Sequence, residues 1–261
     1  AHTTFKIIEV LFMFPCTPLV VALTEKIIPG EDQKVHHNEL QYITEISLKS
    51  PATMIPQAKN ELKRMADMAQ ENLDRSIKGF LNQSDEYLNK IYHREEDINN
   101  VSHAITDYLV KSNQLSLPLA DQKILGSMFY VVNDIERIGD HAENFADYTK
   151  TELKHNTGLT GDAKEEIKKM YEAVSKLLKL SLESFMAQDG VNTQEDKLAE
   201  IAALEASIDK MERRYQKHHI KRLAKGDCEP RAGLLFSDML SELERIADHS
   251  VNIAYSMSDE D

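Results

Sequence analysis

The stretch that decides the fold occurs twice: residues 136–146 read ERIGDHAENFA and residues 244–254 read ERIADHSVNIA. Aligned without a gap, the two copies are identical at seven of the eleven positions. Apolar residues upstream superpose in the same register, Met128 with Phe236 and Val132 with Leu240. Ile135 and Leu243 follow three residues later, and spacings of four and three residues are typical of one buried helical face. The repeat therefore predicts two copies of one helical unit.

Helix breakers and capping residues divide the chain after Ser50 into six helices, three in each copy. Ser50 and Pro51 predict an N-cap followed by a proline in the first helical turn, and Asp162–Glu165 has the pattern of a capping box. The run Phe129–Val132 favours a strand locally, but it lies inside a longer helical pattern, so we predict helix there. The predicted fold is all-α, two tandem three-helix bundles: residues 51–155, a linker at residues 156–161, and residues 162–261.

Composition supports a folded, strongly acidic protein. Of 261 residues, 41% are apolar and 29% are charged, which is sufficient for a buried core. The net charge of −13 repels phosphate backbones, so a nucleic-acid partner is disfavoured. No GxGxxG, GxxxxGK[ST] or GxSxG motif occurs, which disfavours the corresponding nucleotide-binding and hydrolase chemistry. The two cysteines, Cys16 and Cys228, are far apart and are expected to be packing residues.

An uncharged run near the start of the chain admits more than one interpretation. It extends from Val10 to Thr24 and contains Pro15 and Pro18. The run is shorter than the about 20 apolar residues that a simple membrane span requires. From the residues alone, a broken helix in a folded core and the last part of a membrane domain are equally supported. A signal peptide is a third option, although only Lys6 would form its basic region.

The repeated motif also carries acidic stripes. Side chains at spacings of three or four residues share one helical face. The stripe residues follow this spacing: Glu136, Asp140 and Asn144 in the first copy, Glu244, Asp248 and Asn252 in the second, and Glu205, Asp209 and Glu212 on the fifth helix. Such hard oxygen ligands suit Mg, Ca, Mn or Fe. The alternative is a pair of solvated acidic faces in an acidic protein, and spacing alone does not decide between the two.

Histidines accompany the stripes but carry a weaker signal. His141 and His249 directly follow the stripe aspartates and lie about a quarter-turn away, so we expect packing or capping roles. His218 and His219 are adjacent in sequence and cannot face one helical site together, so we predict that they lie on the surface.

The repeated helix resembles the characteristic helix of the PhoU family. Members of this family are two three-helix bundles in tandem, and the resemblance implies that fold here. It also implies a metal-associated pattern, an acid followed four residues later by Asp. The pattern matches Glu136 with Asp140, Glu244 with Asp248, and Glu205 with Asp209. Some family members bind multinuclear iron or other metal clusters at these stripes, and others have been seen without metal.

One departure from the family pattern lies on the second helix. Glu95 keeps the first acid, but Asn99 stands where the family has Asp, and Ser102 stands where a further acid is usual. The resemblance therefore implies a weak site in the first copy. It implies the stronger site in the second copy, at Glu205, Asp209, Glu244 and Asp248. We predict weaker ligands or supporting residues at Glu95 and Asn144 in the first copy and at Asn252 and Glu212 in the second.

The upstream sequence resembles a particular branch of relatives. Residues 1–15 are similar to the end of the membrane domain in bacterial Na/Pi cotransporter proteins, and residues 48–69 are similar to the junction that follows it. This resemblance implies a membrane-domain remnant at residues 1–29 and a connecting segment at residues 30–50. The remainder would be a C-terminal PhoU-like domain at the cytoplasmic face of the bacterial inner membrane.

Three functional hypotheses follow. In the first, the domain regulates a sodium-dependent phosphate transporter, with the transporter's membrane domain as partner and inorganic phosphate involved only indirectly. In the second, the chain is a free-standing adaptor of phosphate ABC transport and phosphate signalling. In the third, metal-bound water performs hydrolysis; because no nucleophile or base arrangement is recognisable, we predict no catalytic residues. Exposed bundle faces are compatible with a homodimer.

Overall fold

The computed structural model describes residues 40–44, 51–155, 158–187 and 191–256. These residues belong to one compact unit, Asn38–Asp261. Within them the structure is all-α, as predicted, and the described ranges contain no strand. The six helices are α1 (Pro51–Leu81), α2 (Leu88–Asn113), α3 (Leu119–His155), α4 (Gly161–Met186), α5 (Val191–Lys225) and α6 (Pro230–Tyr255).

The predicted membrane remnant at residues 1–29 lies outside the described residues. Of the predicted connecting segment, residues 30–50, only residues 40–44 are described, and residues 156 and 157 of the predicted linker are also outside. Among the described helices, none is both long enough and apolar enough to cross a bilayer. This finding does not cover the run from Val10 to Thr24, which lies outside the described residues.

The start of α1 and the helix at Phe129–Val132 are as predicted, and one cap differs. Helix α1 begins at Pro51, and α3 includes Phe129–Val132, so the local strand preference is overridden there. Helix α4 begins at Gly161, and its N-cap is Thr160, not Asp162. The backbone of Thr160 is extended, and its hydroxyl oxygen accepts the N–H of Ala163 at 3.3 Å. Asp162 instead lies in the first turn, where its negative charge interacts favourably with the helix dipole.

Helices α1–α3 pack together as one bundle, here called repeat 1, and α4–α6 pack as a second bundle, repeat 2. The repeats contact each other through α3 against α6 and through α1 against α4. Each of these helices therefore meets its own equivalent. Gln70 of α1 and Ser175 of α4, which are equivalent positions in the two repeats, are hydrogen-bonded at 3.3 Å. Contact between equivalent positions indicates a pseudo-two-fold relation between the repeats.

Equivalent apolar residues form the cores of the two bundles. Met65 and Phe80 of α1 are buried, as are their counterparts Met170 and Phe185 of α4. Burying a side chain of this size contributes about 1.5–3 kcal/mol. The matched pattern explains why two stretches with low overall identity form the same bundle.

A buried acid connects the α1–α2 turn to the end of α3. Gln83, whose φ of 51° makes it the one left-handed non-glycine residue in the described ranges, donates from Nε2 to Glu152 at 3.0 Å. Glu152 is fully buried. Burial raises the pKa of this carboxyl group, because removal from water disfavours its charged form.

Candidate functional site

The acidic stripe of repeat 2 brings together the residues that the sequence predicted. Glu205 and Asp209 project from α5, and Glu244 and Asp248 project from α6, which packs against α5. Burial, followed by the charges of Asp248, Glu212 and Asp209, raises the pKa of Glu244. Burial and then Asp209 raise the pKa of Asp248. These mutual effects couple five carboxylates electrostatically: Glu205, Asp209, Glu212, Glu244 and Asp248.

The stripe of repeat 1 has a different composition. Glu136 and Asp140 lie on α3 beside Glu95 of α2, and burial together with the charges of Glu143 and Asp140 raises the pKa of Glu95 to about 7. Asn99 donates its side-chain N–H to Glu95 and adds no acid of its own. Glu143 was not among the predicted residues, although it lies three residues after Asp140, on the same helical face.

Arginines already neutralise part of each stripe. Arg137 contacts Asp140 at 2.9 Å and Glu136 at 3.6 Å, and Arg213 contacts Asp209 at 3.5 Å. Among the residues that the structure describes, no three His, Cys, Asp or Glu side chains are arranged to hold one metal ion. The oxygen donors are of the type that hard cations prefer. A bound cation would therefore require these side chains to leave their arginine partners and converge.

A second constellation lies between the repeats and was not predicted. His141 of α3 pairs through Nδ1 with Glu242 of α6. In the reverse direction, His249 of α6 pairs through Nδ1 with Asp134 of α3 at 2.8 Å. The two imidazole centroids are 5.6 Å apart. Since Asp134 and Glu242 are themselves equivalent in the register of the repeated motif, the two pairs are related by the pseudo-two-fold. We call these four residues the His junction.

The stripe asparagines contact the acids of the His junction. Asn144 donates to Glu242 at 3.1 Å, and Asn252 donates to Asp134 at 3.4 Å. Both asparagines therefore contact the opposite repeat in this structure, and their role beside a metal stays a prediction. Although burial would raise the pKa of Glu242, the hydrogen bonds from His141 and Asn144 and the charge of His141 lower it.

The surface prediction for the adjacent histidines is half wrong. His218 is partly exposed and bonds Glu166 at 2.6 Å. His219, however, is only 7% exposed, and its ring lies 5.3 Å from that of Phe236. A Cβ at Gly233 would come within 2.5 Å of this ring, so the glycine creates the space that the imidazole fills. Burial lowers the pKa of His219.

These features define a class of protein: a tandem three-helix-bundle domain with an acidic stripe on each repeat. The family model described as the PhoU domain matches residues 62–149 and 167–257, more than half of the chain. The chain therefore belongs to the PhoU domain family.

Relatives and solved structures agree with this assignment. The chain is 20% identical over 196 residues to "Phosphate-specific transport system accessory protein PhoU homolog 1" of Thermotoga maritima, covering 75% of this chain and 82% of the relative. It is 26% identical over 207 residues to "Phosphate-specific transport system accessory protein PhoU homolog" of Synechocystis, covering 78% and 88%. The crystal structure of PhoU from Pseudomonas aeruginosa superposes with a TM-score of 0.70 at 19% identity, covering 79% of this chain and 96% of that one.

Proposed function

We propose that this chain is a PhoU-type accessory protein that regulates phosphate transport through protein contacts. The match of both repeats to the PhoU domain supports the proposal, together with relatives that are named as accessory proteins of phosphate-specific transport systems. On this proposal the chain acts at the cytoplasmic face of the inner membrane, its partner is a phosphate transporter, and phosphate itself is involved only indirectly. On the same proposal it is not an enzyme.

The test is deletion of the coding region in the host, followed by measurement of phosphate uptake and of the response to phosphate starvation. We expect uptake or its regulation to change and to be restored by the intact chain. Unchanged uptake and an unchanged starvation response would contradict the proposal.

A second candidate is the regulatory domain of a sodium-dependent phosphate transporter within one polypeptide. The uncharged run from Val10 to Thr24 and the resemblance of residues 1–15 to a membrane-domain end favour it. Reading the gene upstream of Ala1 distinguishes the candidates. Several further hydrophobic spans would support the fused transporter, and an immediate start codon would support the free-standing adaptor.

For the regulation itself, we propose a cation at the acidic stripes, with Fe, Mn, Mg or Ca as candidates. The stronger site would use Glu205, Asp209, Glu244 and Asp248, and the weaker would use Glu136, Asp140 and Glu95. Because Asp140 and Asp248 directly precede His141 and His249, a cation that draws the stripe acids together would act on the His junction and bias the packing of the repeats. Elemental analysis of protein purified without chelator tests occupancy.

A further inference from the structure

A buried carboxylate in repeat 1 binds the chain that precedes the bundle. Glu61 of α1 is fully buried. Its Oε2 accepts the backbone N–H of Gln41 at 2.9 Å and that of Tyr42 at 2.7 Å. Arg64, one turn along α1, donates to Oε1. Charge-assisted hydrogen bonds of this kind are roughly twice as strong as neutral ones, so Glu61 is an anchor for two consecutive peptide groups.

Apolar contacts act together with this anchor. Ile43 is only 8% exposed and belongs to the hydrophobic core, and Leu40 packs against that core. Tyr42, between them, is 46% exposed. Residues 40–44, which we call the strap, are therefore held by backbone hydrogen bonds and by side chains on either side of the bonded peptide groups.

The equivalent carboxylate in repeat 2 has different partners. Glu166 of α4 corresponds to Glu61 in the register that aligns Gln70 of α1 with Ser175 of α4. It accepts from His218 at 2.6 Å and from Arg222 at 2.8 Å, both on α5. The same carboxylate position is thus satisfied in repeat 2 by side chains of the bundle itself.

Sequence differences on α2 explain why repeat 1 uses the strap instead. When α2 is aligned with α5, Tyr108 stands at the position of His218 and Ser112 stands at the position of Arg222. Neither counterpart is basic. The hydroxyl of Ser112 donates to the carbonyl of Tyr108 in its own helix. Repeat 1 therefore supplies no side chain on α2 that matches this histidine and arginine, and backbone N–H groups of the strap bind Glu61.

The surface beside Glu166 remains open. A hollow of about 370 Å³ lies there, lined by Asp162, Glu165, Glu166, Lys169, His218, Lys221 and Arg222. In repeat 1 the strap lies at the corresponding carboxylate. The surface beside the equivalent carboxylates thus differs between the repeats. It is open beside Glu166 in repeat 2, and the backbone of the strap covers it beside Glu61 in repeat 1.

We propose that this position in repeat 1 is a docking site for the strap, with Glu61 as the recognising residue. Docking holds residues 40–44 against α1, and therefore on repeat 1. Release of the strap would consequently act first on α1, through Glu61, and not on repeat 2. The inference is independent of the proposed function, since it concerns a contact inside this chain.

The experiment is amide hydrogen exchange on the full chain, resolved for Gln41, Tyr42 and Ile43 and for the buried amides of α3. Three variants are compared with the wild type. Glu61→Gln removes the charge of the anchor, Tyr42→Pro removes one bonded N–H without changing the bundle, and Glu166→Gln is the matched control in repeat 2. We expect Glu61→Gln to accelerate exchange in the strap by about tenfold or more, since it removes a charge-assisted acceptor, while Glu166→Gln leaves the strap protected.

Both possible complications are covered by the design. If Glu61→Gln also accelerates exchange throughout α3, the variant has destabilised the bundle, and Tyr42→Pro decides. Faster exchange at Gln41 with α3 unchanged then supports docking. The proposal is overturned if the strap amides exchange freely in the wild type. It is also overturned if Tyr42→Pro leaves Gln41 as protected as before, or if Glu166→Gln releases the strap as fully as Glu61→Gln does.

Discussion

His141 and His249 face each other across the contact between α3 and α6, with ring centroids 5.6 Å apart. Each is paired with an acid from the opposite repeat, Glu242 and Asp134 respectively. Because every pair joins one repeat to the other, a rotation of the bundles against each other would break both pairs together. The hydrogen bonds of the His junction therefore depend directly on the relative position of the repeats.

His141→Ala should lower the free energy of unfolding by about 3 kcal/mol, since it leaves the buried Glu242 without its histidine partner. The loss for His249→Ala should be smaller, because this side chain is about one quarter exposed and its charge is better screened. Urea denaturation of both variants at neutral pH measures the difference. An equal or larger loss for His249→Ala would contradict the unequal burial of the two pairs as the cause.

Neutralising the stripe of repeat 2 should have opposite effects with and without metal. In chelator, Glu244→Gln combined with Asp248→Asn should raise the free energy of unfolding by about 0.5 kcal/mol, because like charges one helical turn apart repel. With added Mn²⁺ or Fe²⁺, the wild type should gain stability by binding, and the variant should gain much less.

The matched control for this experiment is Glu136→Gln combined with Asp140→Asn in repeat 1. It should retain most of the metal-dependent gain, since Asn99 weakens that site. Thermal unfolding across a metal titration provides the comparison. If none of the metals stabilises the wild type, the result would contradict the proposed cation site and favour solvated acidic faces.

Gly233→Ala should destabilise the protein by about 1–3 kcal/mol, the usual cost of overpacking. The added Cβ would lie 2.5 Å from the ring of the buried His219. Gly126→Ala, also in the third helix of its repeat, meets nothing within 4 Å and should stabilise by about 0.5–1 kcal/mol. Adding His219→Ala to Gly233→Ala should restore part of the loss; a further loss of similar size would show that the clash is not its source.

The buried Glu152 should make stability depend on pH. Burial raises its pKa in the folded state, so the folded protein binds this proton more tightly than the unfolded chain does. Its contribution is favourable below the unfolded pKa and is lost as the pH rises through the folded one. Glu152→Gln should consequently be more stable than the wild type at pH 8 and similar to it at pH 4. Denaturation at the two pH values tests this, and a benefit confined to pH 4 would reverse the assigned sign.

The fold could be predicted because its evidence is local and repeated. Apolar spacing identifies helices, Pro51 and the breakers near residues 226–230 divide them, and the second copy of the ERIGDHAENFA motif establishes the duplication. The position of the α4 cap was less predictable. Asp162 and Thr160 both suit an N-cap, and only the backbone conformation identifies Thr160.

The site was predicted in part, for a physical reason. Carboxylates such as Glu244 and Asp248 share a helical face, so their proximity follows from spacing alone. The His junction depends on how two bundles meet, and its acids differ between the copies, an aspartate in one and a glutamate in the other. His219 likewise required knowledge of a distant glycine, Gly233, on another helix. Glu143 also shares a helical face with Asp140 by spacing, but the repeat does not indicate it, because the second copy has a valine at the equivalent position.

The contact of Gln70 with its own counterpart Ser175 has a historical consequence. An isologous contact is the arrangement that two identical subunits adopt in a symmetric pair. The chain therefore has the geometry of a homodimer whose subunits have been joined by gene duplication and fusion. After fusion each half can accumulate its own substitutions. Repeat 2 has Asp209 where repeat 1 has Asn99. Glu166 binds side chains of its own bundle, whereas the equivalent Glu61 binds the backbone of the strap.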